Sequence, residues 1–85
     1  VAVAIPTRGR PAFCEEAARS ALGQEGVEVE VAVATDGPEP ETVARLRAIG
    51  DPRLVVVEGP REGRSAARNR AVRATAAPLV AFLDD

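Results

Sequence analysis

The chain reads as short apolar runs separated by polar stretches marked by Gly and Pro, with strand-like and helix-like spacing alternating along it. Residues 1–5 (Val-Ala-Val-Ala-Ile) are apolar throughout, β-branched at every second position, and broken by Pro6. Such a run fits a short strand buried on both faces. Residues 7–10 (Thr-Arg-Gly-Arg) form a polar loop, and Pro11 suits the first turn of a helix running to Leu22. Phe13, Ala17 and Ala21 give that helix its apolar face, and Gly23 and Gly26 close it. Residues 27–34 begin as alternating Val and Glu and finish fully apolar, a strand that enters the sheet from solvent and ends inside it.

Thr35-Asp36-Gly37-Pro38 is the next turn. A second helix spans residues 39–49, with Val43, Leu46 and Ile49 inward, acids in its first turn and Gly50 as the stop. After the Asp51-Pro52 turn, residues 54–57 read as a third strand, and residues 58–63 as a loop rich in turn formers. A third helix covers residues 65–75, with many Ala where close packing on a sheet needs small side chains. Pro78 precedes the last apolar run, residues 79–83, read as a buried fourth strand that stops on Asp84 and Asp85.

The order βαβαβαβ with short links predicts an α/β fold: a Rossmann-like three-layer sandwich around a parallel sheet with right-handed crossovers. Strand order is not written in a sequence, but the common doubly wound order 3-2-1-4 places strands one and four side by side at the switch point. Residues 7–10 then lie beside Asp84-Asp85, with the turn at Asp36 and the start of the third helix on the same rim. There is no internal repeat and no linker, so residues 1–85 form a single segment. A core strand that stops on its most polar residues predicts that this segment is the front part of a larger domain.

Composition sharpens the picture. At 46% hydrophobic and 28% charged the chain is globular, not disordered. A domain of this size buries only about 60% of its unfolded surface. Phe13 and Phe82 are the only aromatics available to a core of Val, Ala, Leu and Ile, so the core should be thin. The lone Cys14, a small helix residue, excludes an internal disulfide. No apolar stretch has the length of a membrane span and the N-terminal run lacks a signal peptide's basic flank, so a cytoplasmic location is expected. Net charge is −2 but uneven: five Arg (61, 64, 68, 70, 73) face Glu62 in the third helix region, a segment able to attract an anion. Every cation is Arg and there is no His, which excludes an imidazole base and a Schiff-base amine; any general base must be a carboxylate.

Four segments carry candidate chemistry. Acids at the carboxyl end of an α/β strand face whatever binds in the crevice there, and Mg²⁺-type ions are held by one or two carboxylates plus phosphate oxygens. Asp84 and Asp85 suit that use, although adjacent strand residues point to opposite faces and a solvated strand end is the plainer alternative. Residues 7–10 lack both the Gly-x-Gly-x-x-Gly and the Walker patterns, but Arg8 and Arg10 can meet phosphate or stack on a base. Asp36 at a strand tip can accept hydrogen bonds from a base or ribose, or simply serve a turn. Residues 63–69 (Gly-Arg-Ser-Ala-Ala-Arg-Asn) open a helix whose free N–H groups favour an anion, unless Ser65 caps it and the Arg are solvated.

Together these segments resemble the N-terminal nucleotide-binding half of the family 2 inverting glycosyltransferases of GT-A fold. Ile5-Pro6-Thr7 with Arg10 matches Ile-Pro-Thr-Tyr-Asn-Arg, Val33-Ala34-Thr35-Asp36-Gly37 matches Val-Val-Asp-Asp-Gly, residues 63–69 match Gly-x-Ser-Ala-Ala-Arg-Asn, and Phe82-Leu83-Asp84-Asp85 matches Phe-Leu-Asp-x-Asp. Thr35 replaces the first Asp of its turn, and Arg8 and Gly9 replace the usual Tyr-Asn. The resemblance implies transfer of a sugar from a nucleotide-diphosphate donor (UDP, GDP or dTDP type) to an acceptor hydroxyl with inversion. It implies nucleotide contacts from Pro6, Thr7, Arg8, Arg10, Asp36, Gly37, Arg64, Arg68 and Asp84. Mn²⁺ or Mg²⁺ is the implied cofactor, with Asp84 opening the Asp-x-Asp motif, Asp85 as its middle residue, and the main ligand and the catalytic base beyond residue 85. On that reading the 85 residues supply the donor site and are inactive alone. Two alternatives stand beside it. A sugar-nucleotide pyrophosphorylase-like enzyme shares a related fold but needs a Gly-rich basic loop after strand one. A non-catalytic module could bind nucleic acid or another anion through the Arg-rich segment, though no Tyr, Trp or Lys supplies a stacking platform.

Overall fold

The computed structural model describes residues 1–24, 28–75 and 80–82. Strand β1 (Ala2–Thr7) leads to helix α1 (Pro11–Leu22), β2 (Glu30–Thr35), α2 (Pro40–Ile49), β3 (Leu54–Val57), α3 (Arg64–Arg73) and β4 (Val80–Phe82). All pairings are parallel, in the order β3-β2-β1-β4, with Ile5 opposite Val33, Ala4 opposite both Ala32 and Phe82, and Val33 opposite Val56. The chain steps outward from β1 to β3 and then returns past β1 to β4. Crossovers of one hand therefore require α1 and α2 on one face and α3 on the other. No helix among the described residues is long and apolar enough to cross a membrane.

The alternation along β1 and β2 decides what each face packs against. Ile5, Val31 and Val33 are fully buried with Cys14, Ala18, Ala21 and Leu22 of α1 and Leu46 of α2. The positions between them, Ala4, Ala32 and Ala34, meet Ala67 and Ala71 of α3. One face is thus built of branched side chains and the other of methyl groups, which lets α3 approach the sheet closely.

Several elements depart from the sequence expectation for identifiable reasons. Pro6 does not end the first strand, which continues to Thr7. The carbonyls of Val1 and Thr7 accept the amides of Glu30 and Asp36, so odd positions of β1 turn their peptide groups toward β2. Pro6, at an even position, has its missing N–H on the opposite side and costs the β1–β2 ladder nothing. The buried stripe of α1 is Cys14, Ala18, Ala21 and Leu22, rotated from the expected Phe13, Ala17 and Ala21; Phe13 is 53% exposed. Cys14 is therefore a core residue. β2 is shorter than expected, beginning at Glu30, and α3 begins one residue earlier, with Gly63 as its N-cap and Ser65 inside the first turn. Ser65 makes no cap. β4 is not a buried strand: Ala81 and Phe82 are exposed; Ala81, opposite Val3, lies on the side that α1 and α2 leave open beyond β1, while Phe82, opposite Ala4, lies on the α3 side with the Arg68 guanidinium over its ring. With both Phe exposed, the core contains no aromatic side chain.

The alanine face yields a stability prediction. Ala67→Leu inserts three carbons between α3 and Ala4, Ala32 and Ala34, and is expected to destabilise the protein by about 1–3 kcal/mol in urea denaturation.

Candidate functional site

Three loops meet outside the carboxyl ends of β1 and β2. Pro6 and Thr7 end β1, Arg8 and Arg10 follow it, Asp36 directly follows β2, and Gly63 caps and Arg64 begins α3; together they line an open crevice of ≈ 320 Å³. The position follows from topology, since the chain reverses its direction of travel across the sheet at β1 and leaves a gap between diverging loops. Six residues expected to contact a nucleotide, Pro6, Thr7, Arg8, Arg10, Asp36 and Arg64, are brought together here. Gly37 and Arg68 are not among the lining residues. Gly37 turns away at φ +98°, where a Cβ would come within 2.9 Å of Arg61 Nε. Arg68 sets its guanidinium 5.0 Å from the ring centre of Phe82. Asp84 and Asp85 lie outside the described residues.

Asp36 is the electrostatic centre of the crevice. It is 4% exposed, and its Oδ1 accepts the backbone N–H groups of Glu62 at 2.9 Å and Gly63 at 3.0 Å. Burial raises its carboxyl pKa, but the amides of Gly63 and Glu62 and the charges of Arg8 and Arg61 together outweigh this, and the net shift is downward. Asp36 is therefore an ionised acceptor. Exposed Arg8, Arg10 and Arg64 surround it. At the start of α3 no side chain caps the helix and no acid occupies its first turn, so its free N–H groups add to the positive potential. The lining of the crevice is net positive.

A second tier of residues, outside the set expected to contact a nucleotide, holds these loops. Arg70, on α3, donates to Glu62 Oε1 at 2.9 Å and to the carbonyls of Thr35 at 3.0 Å and Pro60 at 3.1 Å. Its guanidinium lies against Gly59, where a Cβ would overlap Arg70 Nε. Thr35, fully buried, accepts the Gly59 amide on Oγ1 at 3.3 Å, and Gly37 donates to the Gly59 carbonyl at 3.0 Å. Glu39 accepts the Gly9 amide at 3.0 Å. The available signal for Arg70 was its place three residues after Ala67, beside the buried face of α3; no local pattern marks Glu39. Arg61 and Arg64 lie near Asp36, Arg68 turns to Phe82 and Arg70 to the carbonyls of Thr35 and Pro60, so the Arg-rich segment does not form one basic stripe.

A divalent cation does not fit the described residues. Among the described residues Asp36 is the only carboxylate lining the crevice, its Oδ1 is committed to two amides, and three Arg oppose a second positive charge. Among the described residues no group of three or more His, Cys, Asp or Glu could hold a metal ion.

Comparison with known proteins gives one family. The model described as glycosyl transferase family 2 matches residues 2–85. No curated protein matches the chain.

Two predictions follow from the loop contacts. The ordinary Asp pKa is 3.8 and that of Asp36 lies lower in the folded state. The stability from its ionisation is fully present above that ordinary value and is lost as pH falls through the depressed one. Asp36→Asn is therefore expected to destabilise the protein at neutral pH, with the difference from wild type narrowing below about pH 4 in denaturation curves collected across pH. Gly59→Ala must expel the Arg70 guanidinium from three acceptors, and thermal and urea unfolding should show a loss of about 1–3 kcal/mol.

Proposed function

We propose, for a chain that belongs to the glycosyl transferase family 2, that the crevice at the ends of β1 and β2 takes the nucleoside diphosphate part of a sugar-nucleotide donor. The observation that carries this is the placement of Arg8, Arg10, Arg64 and the uncapped start of α3 around a single buried carboxylate. Arginine forks match phosphate oxygens two at a time, and helix amides add donors with no side-chain entropy to lose. A crevice of ≈ 320 Å³ is at the small end of ligand sites, which suits a nucleoside diphosphate better than a whole sugar nucleotide.

Within this reading Arg8, Arg10 and Arg64 hold the diphosphate, while Asp36, with Pro6 and Thr7, faces the base and ribose. Gly37, Arg68 and Asp84 belong to the same proposed set, Gly37 by shaping the Asp36 turn and Arg68 from the β4 side of α3, one turn after Arg64. Transfer with inversion forms a bond from the acceptor oxygen to the anomeric carbon as the bond to the diphosphate breaks. The electron pair leaves with the nucleoside diphosphate, where fixed positive charge is most effective. The acceptor proton passes to a base that the crevice does not supply, since its Arg are permanently protonated and Asp36 is weakly basic. Mn²⁺ or Mg²⁺ enters this reading through the family resemblance and Asp84-Asp85 alone, and no step is routed through it.

Calorimetric titration with UDP, GDP and dTDP, each with and without Mn²⁺, tests the reading. One nucleotide is expected to bind. Arg64→Ala should weaken it roughly tenfold or more, because hydrogen bonds to charged groups contribute about 1.5–3 kcal/mol. Failure of all three nucleotides to bind, with and without the metal, would remove the donor-site assignment.

A further inference from the structure

We propose that Glu39 is a positioning residue of the crevice, its carboxylate anchoring the loop that carries Arg8 and Arg10. What that loop does rests on the donor-site reading; how it is held rests on geometry.

Glu39 precedes Pro40, the first residue of α2, and occupies the N-cap position without capping its own helix through its side chain. Its Oε1 instead accepts the backbone N–H of Gly9 at 3.0 Å and the hydroxyl of Thr42 at 3.3 Å. Thr42 is buried, 1% exposed, so the second bond fixes the carboxylate on a rigid part of α2. The first bond reaches back 30 positions in sequence, to a glycine at φ +68° that has no side chain with which to anchor itself. Gly9 lies between Arg8 and Arg10, both exposed and both lining the crevice. Arg10 has one further rest, its guanidinium lying 5.9 Å from the Phe13 ring centre. Fixing the backbone between two long, solvated cations reduces the ordering that a bound anion would otherwise impose.

Charge alone predicts the opposite effect of Glu39. A carboxylate beside an anion site repels the ligand, so removing it should tighten binding on Coulomb grounds. Positioning and charge therefore differ in sign, which makes the proposal decidable.

The experiment compares wild type, Glu39→Ala and Glu39→Gln by amide hydrogen exchange at Gly9 and by affinity for the nucleoside diphosphate that wild type binds best. Exchange at Ala67 and Ala71 reports that the fold is intact. Glu39→Ala should speed Gly9 exchange and weaken nucleotide binding roughly three- to tenfold, the net contribution of one hydrogen bond. Glu39→Gln keeps an acceptor oxygen and should restore both. Unchanged Gly9 exchange in Glu39→Ala overturns the proposal, as does equal acceleration in both variants, or tighter nucleotide binding by Glu39→Ala. If wild type binds no nucleoside diphosphate, the donor-site reading fails, and Gly9 exchange alone then decides whether Glu39 anchors the loop.

Discussion

Asp36 closes β2 at the point where its Oδ1 receives the amides of Glu62 and Gly63, so one buried anion ties the end of the sheet to the start of α3. Both halves of that contact are needed. Without the amides, a carboxylate at 4% exposure would carry the full cost of its desolvation. Without the carboxylate, the loop before α3 would keep only the Arg70 clamp and the Gly59 contacts to hold it over β2. The mouth of the crevice, the direction of the α3 N–H groups and the spread of Arg8, Arg10 and Arg64 all depend on this joint.

Below the joint, the two sides of the sheet are made differently. Branched residues of β1 and β2 interlock with α1 and α2, while Ala4, Ala32 and Ala34 leave α3 resting on methyl groups. The methyl face brings α3 close enough for Arg70 to reach the carbonyl of Thr35. Arg70 is 14% exposed along its side chain, so its bonds to Thr35, Pro60 and Glu62 are partly shielded from water. Packing and polar anchoring are therefore one arrangement: the small residues set the distance that the guanidinium spans.

Much of this was legible in the chain. Pro11 and Gly50 mark helix ends, the apolar runs mark strands, and Arg8, Arg10, Asp36 and Arg64 stand in segments that share one rim once the sheet is parallel. What was not legible is what depends on partners. Pro6 reads as a break until its peptide is seen to face away from β2. Phe13 reads as core until Cys14 and Ala18 are seen to take the inward positions. Glu39 and Arg70 bond to groups about 30 residues away, and such contacts leave no periodic or local mark. Gly37 and Arg68 lie in the matching segments but are not among the residues lining the crevice, Arg68 resting instead against Phe82.

The cations of the crevice are all guanidinium groups and the chain contains no His. Guanidinium does not titrate in proteins, so this set of positive charges is the same in mildly acidic and mildly alkaline solution. A free nucleoside diphosphate, however, gains a second terminal charge around pH 6, as phosphate monoesters do. In a sugar nucleotide that oxygen is esterified and cannot ionise. On the proposed donor-site reading, a fixed positive site of this kind would favour the spent nucleotide over the intact donor increasingly as pH rises, so product inhibition would follow the ligand's own ionisation while the protein stays constant.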